Sequence, residues 1–234
     1  MTTGNDTWLV LWDIDHTLID SAGLGRDVYE RIFPGVTGQP LRELAALHGR
    51  TELDIMRATL LQHDIEPSEQ LLRELADALA DGFRAASGEL AQRGEVLPGV
   101  RAALESLRPE SAVHQSLLTG NTRAVARVKT EVFGLDRYLD LTTGAYGDDH
   151  ADRSELVGIA GERAARQLST EIPADRTVLV GDTPRDVRAA RSAGARAVAV
   201  ASGVYPIADL REAGADIALE SLVDPRELHR VLDR

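Results

Sequence analysis

The chain of 234 residues is predicted to be an α/β protein: a parallel sheet covered by helices on both faces, with an all-helical segment inserted after the first strand. Three observations predict this. Trp8-Leu9-Val10-Leu11-Trp12 and Thr177-Val178-Leu179-Val180-Gly181 are short, nearly unbroken apolar runs, as expected of strands buried on both sides of a sheet. Each run ends abruptly at an aspartate, Asp13 or Asp182, at the strand end where an open α/β sheet places its ligands. Across residues 41–93, by contrast, apolar residues recur at spacings of three and four, with no strand-like run between them.

Composition narrows the function classes. Forty-three per cent apolar residues is enough for a packed core, and the length suits one domain carrying a sizeable insertion. No segment is long and apolar enough to span a membrane. Met1 to Thr7 shows neither the basic nor the apolar region of a secretory signal, so a cytoplasmic location is expected. The absence of cysteine excludes disulfides, thiolate zinc sites and cysteine nucleophiles. A formal charge of −12 argues against nucleic acid and anionic membranes as partners, because both require clustered cationic surface. A phosphate-bearing substrate would need local positive charge against that field, which points to a metal ion. Lys129 is the only lysine among 26 basic residues.

The first strand runs into Asp13-Ile14-Asp15-His16-Thr17. In extended backbone Asp13 and Asp15 share a side, and like charges that close call for a cation between them or a proton on one. Asp20 to Gly23 reads as a loop, followed by a helix over residues 24–33 that Pro34-Gly35 stops. Three helical stripes follow: Leu41, Leu44 and Ala45, then Leu53, Met56 and Leu60, then Leu71, Leu72, Leu75, Leu79 and Phe83. His48-Gly49-Arg50 interrupts the pattern, and Thr51 with Asp54 fits a helix-start capping box. Leu97-Pro98-Gly99 is turn chemistry before a helix over Val100–Leu107, and marks the return from the insertion.

Residues 112–119 form a second strand despite the polar His114-Gln115-Ser116. It ends in Thr119-Gly120-Asn121, where a hydroxyl and the amides opening a helix over 122–133 make an oxyanion cradle. A third strand is expected over 139–143, followed by a loop in which Asp148, Asp149 and His150 read as a solvated acidic cluster rather than a second metal site. Arg153 opens a helix over 154–168. After the strand ending at Asp182, Pro184 sits at the first helical position, and Thr183 with Asp186 forms a capping box. A strand over Arg196–Val200, a helix over 207–213, a strand over 215–219 and a terminal helix complete the alternation expected of a parallel sheet.

Asp-x-Asp-x-Thr at 13–17, Thr119-Gly120-Asn121, and Gly-Asp-Thr-x-x-Asp at 181–186 resemble, in order, the first, second and fourth motifs of the haloacid dehalogenase-like phosphatase superfamily. The helical insertion resembles the cap of its phosphoglycolate phosphatase-like branch. The resemblance implies a Rossmann-like core from residues 1–20 and 94–234, with residues 21–93 as a cap that closes over the site. It also implies a Mg²⁺-dependent phosphomonoester hydrolase acting on a small phosphorylated metabolite such as phosphoglycolate. By the same resemblance Asp13 is the nucleophile, and Asp15 is the general acid and base whose backbone carbonyl also binds the metal. Asp182 and Asp186 complete that metal site with Asp13. Thr119, Gly120 and Asn121 hold the phosphoryl group, and Arg50 reaches the leaving group from the cap. The family's third motif is usually a lysine, but Lys129 lies too far before Asp182, inside an amphipathic helix, so the role falls to Arg153. His16 stands where the family often has glycine, and histidine tolerates left-handed backbone comparatively well. The expected partner is a small-molecule phosphate ester, and the expected state a monomer or homodimer.

Two other readings use the same motifs: a phosphosugar mutase of the β-phosphoglucomutase type and a non-catalytic binding protein on the same fold. Asp15, Asp182 and Asp186 oppose metal-free dehalogenation, and a phosphonate hydrolase would need a Schiff-base lysine that the insertion lacks.

Overall fold

A computed structural model describes residues 7–108, 110 and 112–232. Residues 1–6, which carry most of the reading on a secretory signal, lie outside the described residues. In chain order the elements are β1 (Trp8–Trp12), β2 (Ile19–Asp20), α1 (Leu24–Thr37), α2 (Glu52–Gln62), α3 (Glu69–Ala85), α4 (Ser87–Arg93), β3 (Glu95–Val96) and α5 (Val100–Leu107). There follow β4 (Val113–Leu117), α6 (Arg123–Val132), α7 (Arg153–Leu168), β5 (Thr177–Gly181), α8 (Pro184–Ser192), β6 (Arg196–Val200), α9 (Ile207–Glu212), β7 (Ile217–Leu219) and α10 (Arg226–Leu232).

The main sheet has five strands in the order β4-β1-β5-β6-β7, all parallel. Side chains of β1 alternate between two cores, which explains the unbroken apolar run. Trp8, Val10 and Trp12 pack with Val100, Leu104 and Leu107 of α5 and Leu228 and Val231 of α10. Leu9 and Leu11 pack with Leu156 and Ala160 of α7 and Val187 and Ala190 of α8 on the other face. Each fully buried leucine of this kind contributes about 1.5–3 kcal/mol of transfer free energy. The polar middle of β4 is satisfied internally: Trp12 Nε1 donates to Gln115 Oε1 at 3.3 Å, and Gln115 Nε2 donates to the Leu104 carbonyl at 3.0 Å.

β2 and β3 pair antiparallel, with Ile19 opposite Val96. Between them lie α1 to α4, which share a third apolar cluster: Leu24, Val28 and Phe33 meet Ile55, Leu60, Leu75, Leu79 and Phe83. Val125 and Val128 of α6 join this cluster, so one helix from beyond the insertion packs against it.

Several sequence expectations are corrected. α1 does not stop at Pro34; it runs through that proline to Thr37 and ends on Gly38, which adopts φ 72°. Pro34 is tolerated because the helix ends within a turn of it, beyond which Gly38 supplies the left-handed cap. The stripe Leu41, Leu44 and Ala45 is irregular chain rather than helix. The backbone amides of Arg42 and Ala45 donate instead to the His63 ring and the Thr59 hydroxyl. Residues 139–143 are not a strand. Asp136–Tyr138 is a 3₁₀ turn, Asp140 accepts from the Thr142 amide at 2.9 Å, and only an isolated bridge joins Leu118 to Ala145. An aspartate that offers the backbone a local turn competes with the sheet ladder. The last strand begins at Ile217, because the Asp216 carboxylate accepts from the Ala197 amide at 2.8 Å and closes the turn before it.

Candidate active site

β1 lies between β4 and β5, so the residues following those three strands converge at one end of the sheet. Asp13 follows β1, Thr119 to Asn121 follow β4, and Asp182 follows β5. Arg153 joins them as the first residue of α7, and Asp186 is placed by the cap of α8. There Thr183 accepts from the Asp186 amide while Asp186 Oδ2 accepts from the Thr183 amide at 3.1 Å, the reciprocal box expected from the sequence. His16 adopts φ 58° in the tight turn after Asp15, the left-handed conformation that its position requires.

The two acids of the first motif diverge. Asp13 is buried and faces Arg153, whose Nη2 stands 3.1 Å from Asp13 Oδ1. The same guanidinium donates to Asp186 Oδ1 from Nε at 2.9 Å and from Nη2 at 2.6 Å. Asp15 faces the other way, toward α6. Lys129 Nζ donates to both of its carboxylate oxygens at 2.7 Å, and Asn121 Nδ2 donates to Oδ2 at 2.8 Å. Each acid therefore has its own cation, which resolves the like-charge problem without a shared proton.

Lys129 is the residue that sequence reasoning set aside. It does not neighbour Asp13, the place filled by Arg153, but its ammonium is buried against Asp15, Asn121 Oδ1 (2.8 Å) and the face of Phe83 (5.1 Å to the ring centroid). The signal was its spacing: Lys129 follows the fully buried Val125 by one turn, on the inward stripe of α6.

Asp13, Asp182 and Asp186 offer oxygen atoms that all lie within 4.8 Å of one another. Among the described residues, Asp182 Oδ2 is the one buried side-chain atom without a hydrogen-bond partner. Gly203 stands so near that a Cβ there would lie 1.9 Å from this oxygen. Burial, with the charges of Asp13 and Asp186, pushes the Asp182 carboxyl up to about 9. Burial also raises Asp13, against the pull of Arg153, to about 6. A crowded all-oxygen set with an orphaned carboxylate atom fits a hard divalent cation. Asp15 is held below its ordinary value: burial opposes this, but Lys129 and Asn121 outweigh it. Its side chain is not part of the oxygen cluster.

The turn of the second motif lies beside Arg153. Thr119 Oγ1 accepts from the Asn121 side-chain amide at 2.9 Å, and a Cβ on Gly120 would approach the Arg153 guanidinium to 3.2 Å. Over it lies a cavity of about 330 Å³, lined from the sheet by Asp13, Asp15, Thr119, Lys129 and Arg153 and from the inserted helices by Tyr29, Arg50, Glu52, Ile55, Leu79 and Phe83. Arg50 lines this cavity, but its guanidinium is turned back: Nε donates to Asp54 Oδ2 at 2.6 Å. The capping box foreseen at Thr51 is thus half made. Thr51 accepts from the Asp54 amide, while the Asp54 carboxylate serves Arg50. Asp148 is exposed, as expected of a solvated acidic loop, and accepts from the Arg123 amide at 2.9 Å, whereas Asp149 is half-buried and paired with Arg163. His150 is exposed.

An α/β sheet with acids following β1 and β5, a hydroxyl and a glycine turn following β4, and a cavity over them is the layout of a hydrolase. The haloacid dehalogenase-like hydrolase profile matches residues 9–194, and the chain belongs to that family. Phosphoglycolate phosphatase of Cupriavidus necator is 30% identical over 219 residues, which cover 91% of this chain and 89% of the relative. The fold is shared with a family IA variant 3 hydrolase of Entamoeba histolytica, at TM-score 0.72 and 18% identity over 97% of this chain and 100% of that one. A hydrolase of Pseudomonas syringae aligns at TM-score 0.68 and 21% identity, over 96% of this chain and 98% of the other.

Proposed function

We propose that the protein is a Mg²⁺-dependent phosphomonoester hydrolase that acts on a small phosphorylated metabolite through an aspartyl-phosphate. The observation that carries this is the juxtaposition of Asp13 with Arg153, the carboxylate cluster and the Thr119–Asn121 cradle at one end of a closed cavity. The size class follows from that cavity and agrees with phosphoglycolate, the substrate named for the Cupriavidus relative. We further propose that residues 1–20 and 94–234 act as the catalytic core and 21–93 as the cap, joined through β2 and β3. A cytoplasmic, monomeric or dimeric enzyme without nucleic-acid or membrane partners is the setting that charge and composition support.

In this mechanism Asp13 attacks phosphorus in line and displaces the leaving alkoxide. Arg153 holds Asp186 and Asp13 through Nε and Nη2 and turns Nη1 toward Gly120, where it meets the phosphoryl oxygens. Thr119 and the amides of Gly120 and Asn121 bind the charge that develops on the transferring group. Asp15 must first take up a proton, against the pull of Lys129 and Asn121, to pass it to the leaving oxygen; the carboxylate left behind then accepts a proton from the hydrolytic water. Asp13, Asp182 and Asp186, with the Asp15 carbonyl, would hold the magnesium ion, whose charge would offset that of the approaching phosphate. Arg50 shapes the wall on the cap side. Its replacement by alanine is expected to raise KM for the true substrate more than for a small generic ester, and equal effects would remove it from the site.

The test is inorganic phosphate release from a panel of small esters, in Mg²⁺ and in EDTA, by wild type and Asp13→Asn. Metal-dependent release that the variant loses supports the reading. A requirement for a sugar bisphosphate with little net phosphate release would identify a mutase instead, and no reaction at all a binding protein.

A further inference from the structure

The end of the cavity away from the carboxylate cluster is walled by Tyr29, Ile55, Leu79 and Phe83, all buried, with one acid among them. That acid is Glu52, the first residue of α2. The Tyr29 hydroxyl donates to its Oε1 in a short hydrogen bond, and the other carboxyl oxygen has no protein partner. Burial, eased by Tyr29 and Lys129, pushes the Glu52 carboxyl up to about 7. Its backbone is fixed to the phosphate cradle, because the Glu52 amide donates to the Gly120 carbonyl at 2.8 Å. The acid therefore stands at a set distance from the phosphoryl end.

The arginines and the lysine lining this cavity are already engaged, and its two histidines, His16 and His48, lie against each other with ring centroids 5.6 Å apart. Arg26 pairs with Glu30, Arg50 with Asp54, and Arg153 with Asp13 and Asp186. Lys129 has three N–H bonds to give, and it gives them to the two Asp15 oxygens and to Asn121. A leaving group that carried a carboxylate would enter beside Asp15 and Glu52, where among the described residues no arginine or lysine is free to meet it and the ionised form of Glu52 repels it. A leaving group that carried an N–H or O–H would instead donate to the Glu52 oxygen that opens on the cavity.

We infer that Glu52 selects phosphate esters whose leaving group presents a hydrogen-bond donor, an ammonium or a hydroxyl, and rejects those that present a carboxylate. This rests on the phosphatase reading of the same site and departs from the substrate named for the Cupriavidus relative.

Four esters of matched size test it: phosphoethanolamine, 2-hydroxyethyl phosphate, ethyl phosphate and phosphoglycolate. Their kcat/KM is measured on wild type with Mg²⁺, and their Kd by calorimetry on Asp13→Asn, which needs no turnover. The two donor-bearing esters are expected to exceed phosphoglycolate by about tenfold or more in both measurements, the scale on which a single mismatched polar contact discriminates. Whichever donor ester leads, wild type will show whether ammonium or hydroxyl is the better match. Glu52→Gln, which keeps the shape and the backbone bond to Gly120, should cut the phosphoethanolamine-to-phosphoglycolate ratio by about tenfold. Should that variant not fold, the wild-type order of affinities still decides. Phosphoglycolate equal to or better than both donor esters would overturn the inference, as would an unchanged ratio in a folded Glu52→Gln. The expected order in binding without phosphate release from any ester would sink the phosphatase reading alone. Release with phosphoglycolate preferred would sink the inference alone, and no binding of any ester would sink both.

Discussion

At the scale of single residues, the site divides into two ion-paired halves that make different demands. Among the described residues Arg153 is the one cation joined to both Asp13 and Asp186, so Arg153→Ala should lower kcat/KM by about 10²–10³, the usual effect of losing an oxyanion-stabilising donor. A wild-type-like rate would remove it from the phosphate site. Lys129 holds both Asp15 oxygens, so under the proposed mechanism its loss would disorder the acid and be felt in proportion to how much the leaving group needs a proton. Lys129→Met is expected to slow alkyl phosphates by about 10²-fold while slowing nitrophenyl phosphate far less. Equal losses on both would show that Lys129 is only structural. The acids and Arg153 were legible because each stands at an apolar strand's end or a helix's start. Lys129 and Glu52 were less so: the stripe of α6 shows that Lys129 faces inward, but no stripe says which acid or cavity an inward polar side chain meets. Helix α6 carries Lys129 one turn after a buried valine, and α2 buries Glu52 at its first position; both meanings need the tertiary partner.

At the scale of elements, the inserted helices meet the core through backbone. The segment 49–53 docks on the cradle loop: the Glu52 amide bonds the Gly120 carbonyl, the Leu53 amide bonds the Gly147 carbonyl at 3.2 Å, and Thr51 Oγ1 donates to the Ala151 carbonyl at 2.7 Å. Gly120 is required at this junction, since a Cβ there would lie 2.0 Å from the Arg50 carbonyl oxygen. Gly120→Ala should therefore push segment 49–53 off the cradle and lower kcat/KM by about tenfold or more, with the fold retained by the sheet beneath. Unchanged kinetics would mean that this docking is not needed for turnover. The strands and most helices were readable from apolar runs and caps. The misread pieces share one cause: at residues 41–45 and 139–143 side chains and distant groups take the backbone hydrogen bonds that periodicity assigns to a helix or strand.

At the scale of the whole molecule, the buried acids tie stability to pH and to metal. Asp182 is raised to about 9 and Glu52 to about 7, both far above their unfolded values. The folded protein thus holds more protons than the unfolded chain, and stability must fall as pH rises through that range. His48 and His114, both lowered, act in the opposite sense only below about pH 6.5. In EDTA the Tm should therefore drop between about pH 6.5 and 9, and the stabilisation given by Mg²⁺ should grow over the same interval. Asp182→Asn should flatten that slope; a slope that persists unchanged would locate the protons elsewhere. No helix among the described residues is long and apolar enough to cross a membrane. The central claim is that Asp13 carries the phosphoryl group. Its most direct test is mass spectrometry of the peptide containing Asp13 after acid quenching of the enzyme during turnover of its best ester in Mg²⁺. The account predicts one added phosphoryl group on Asp13, absent in EDTA and in Asp13→Asn. Steady hydrolysis with Asp13 never phosphorylated, or with the group on another residue, would contradict it.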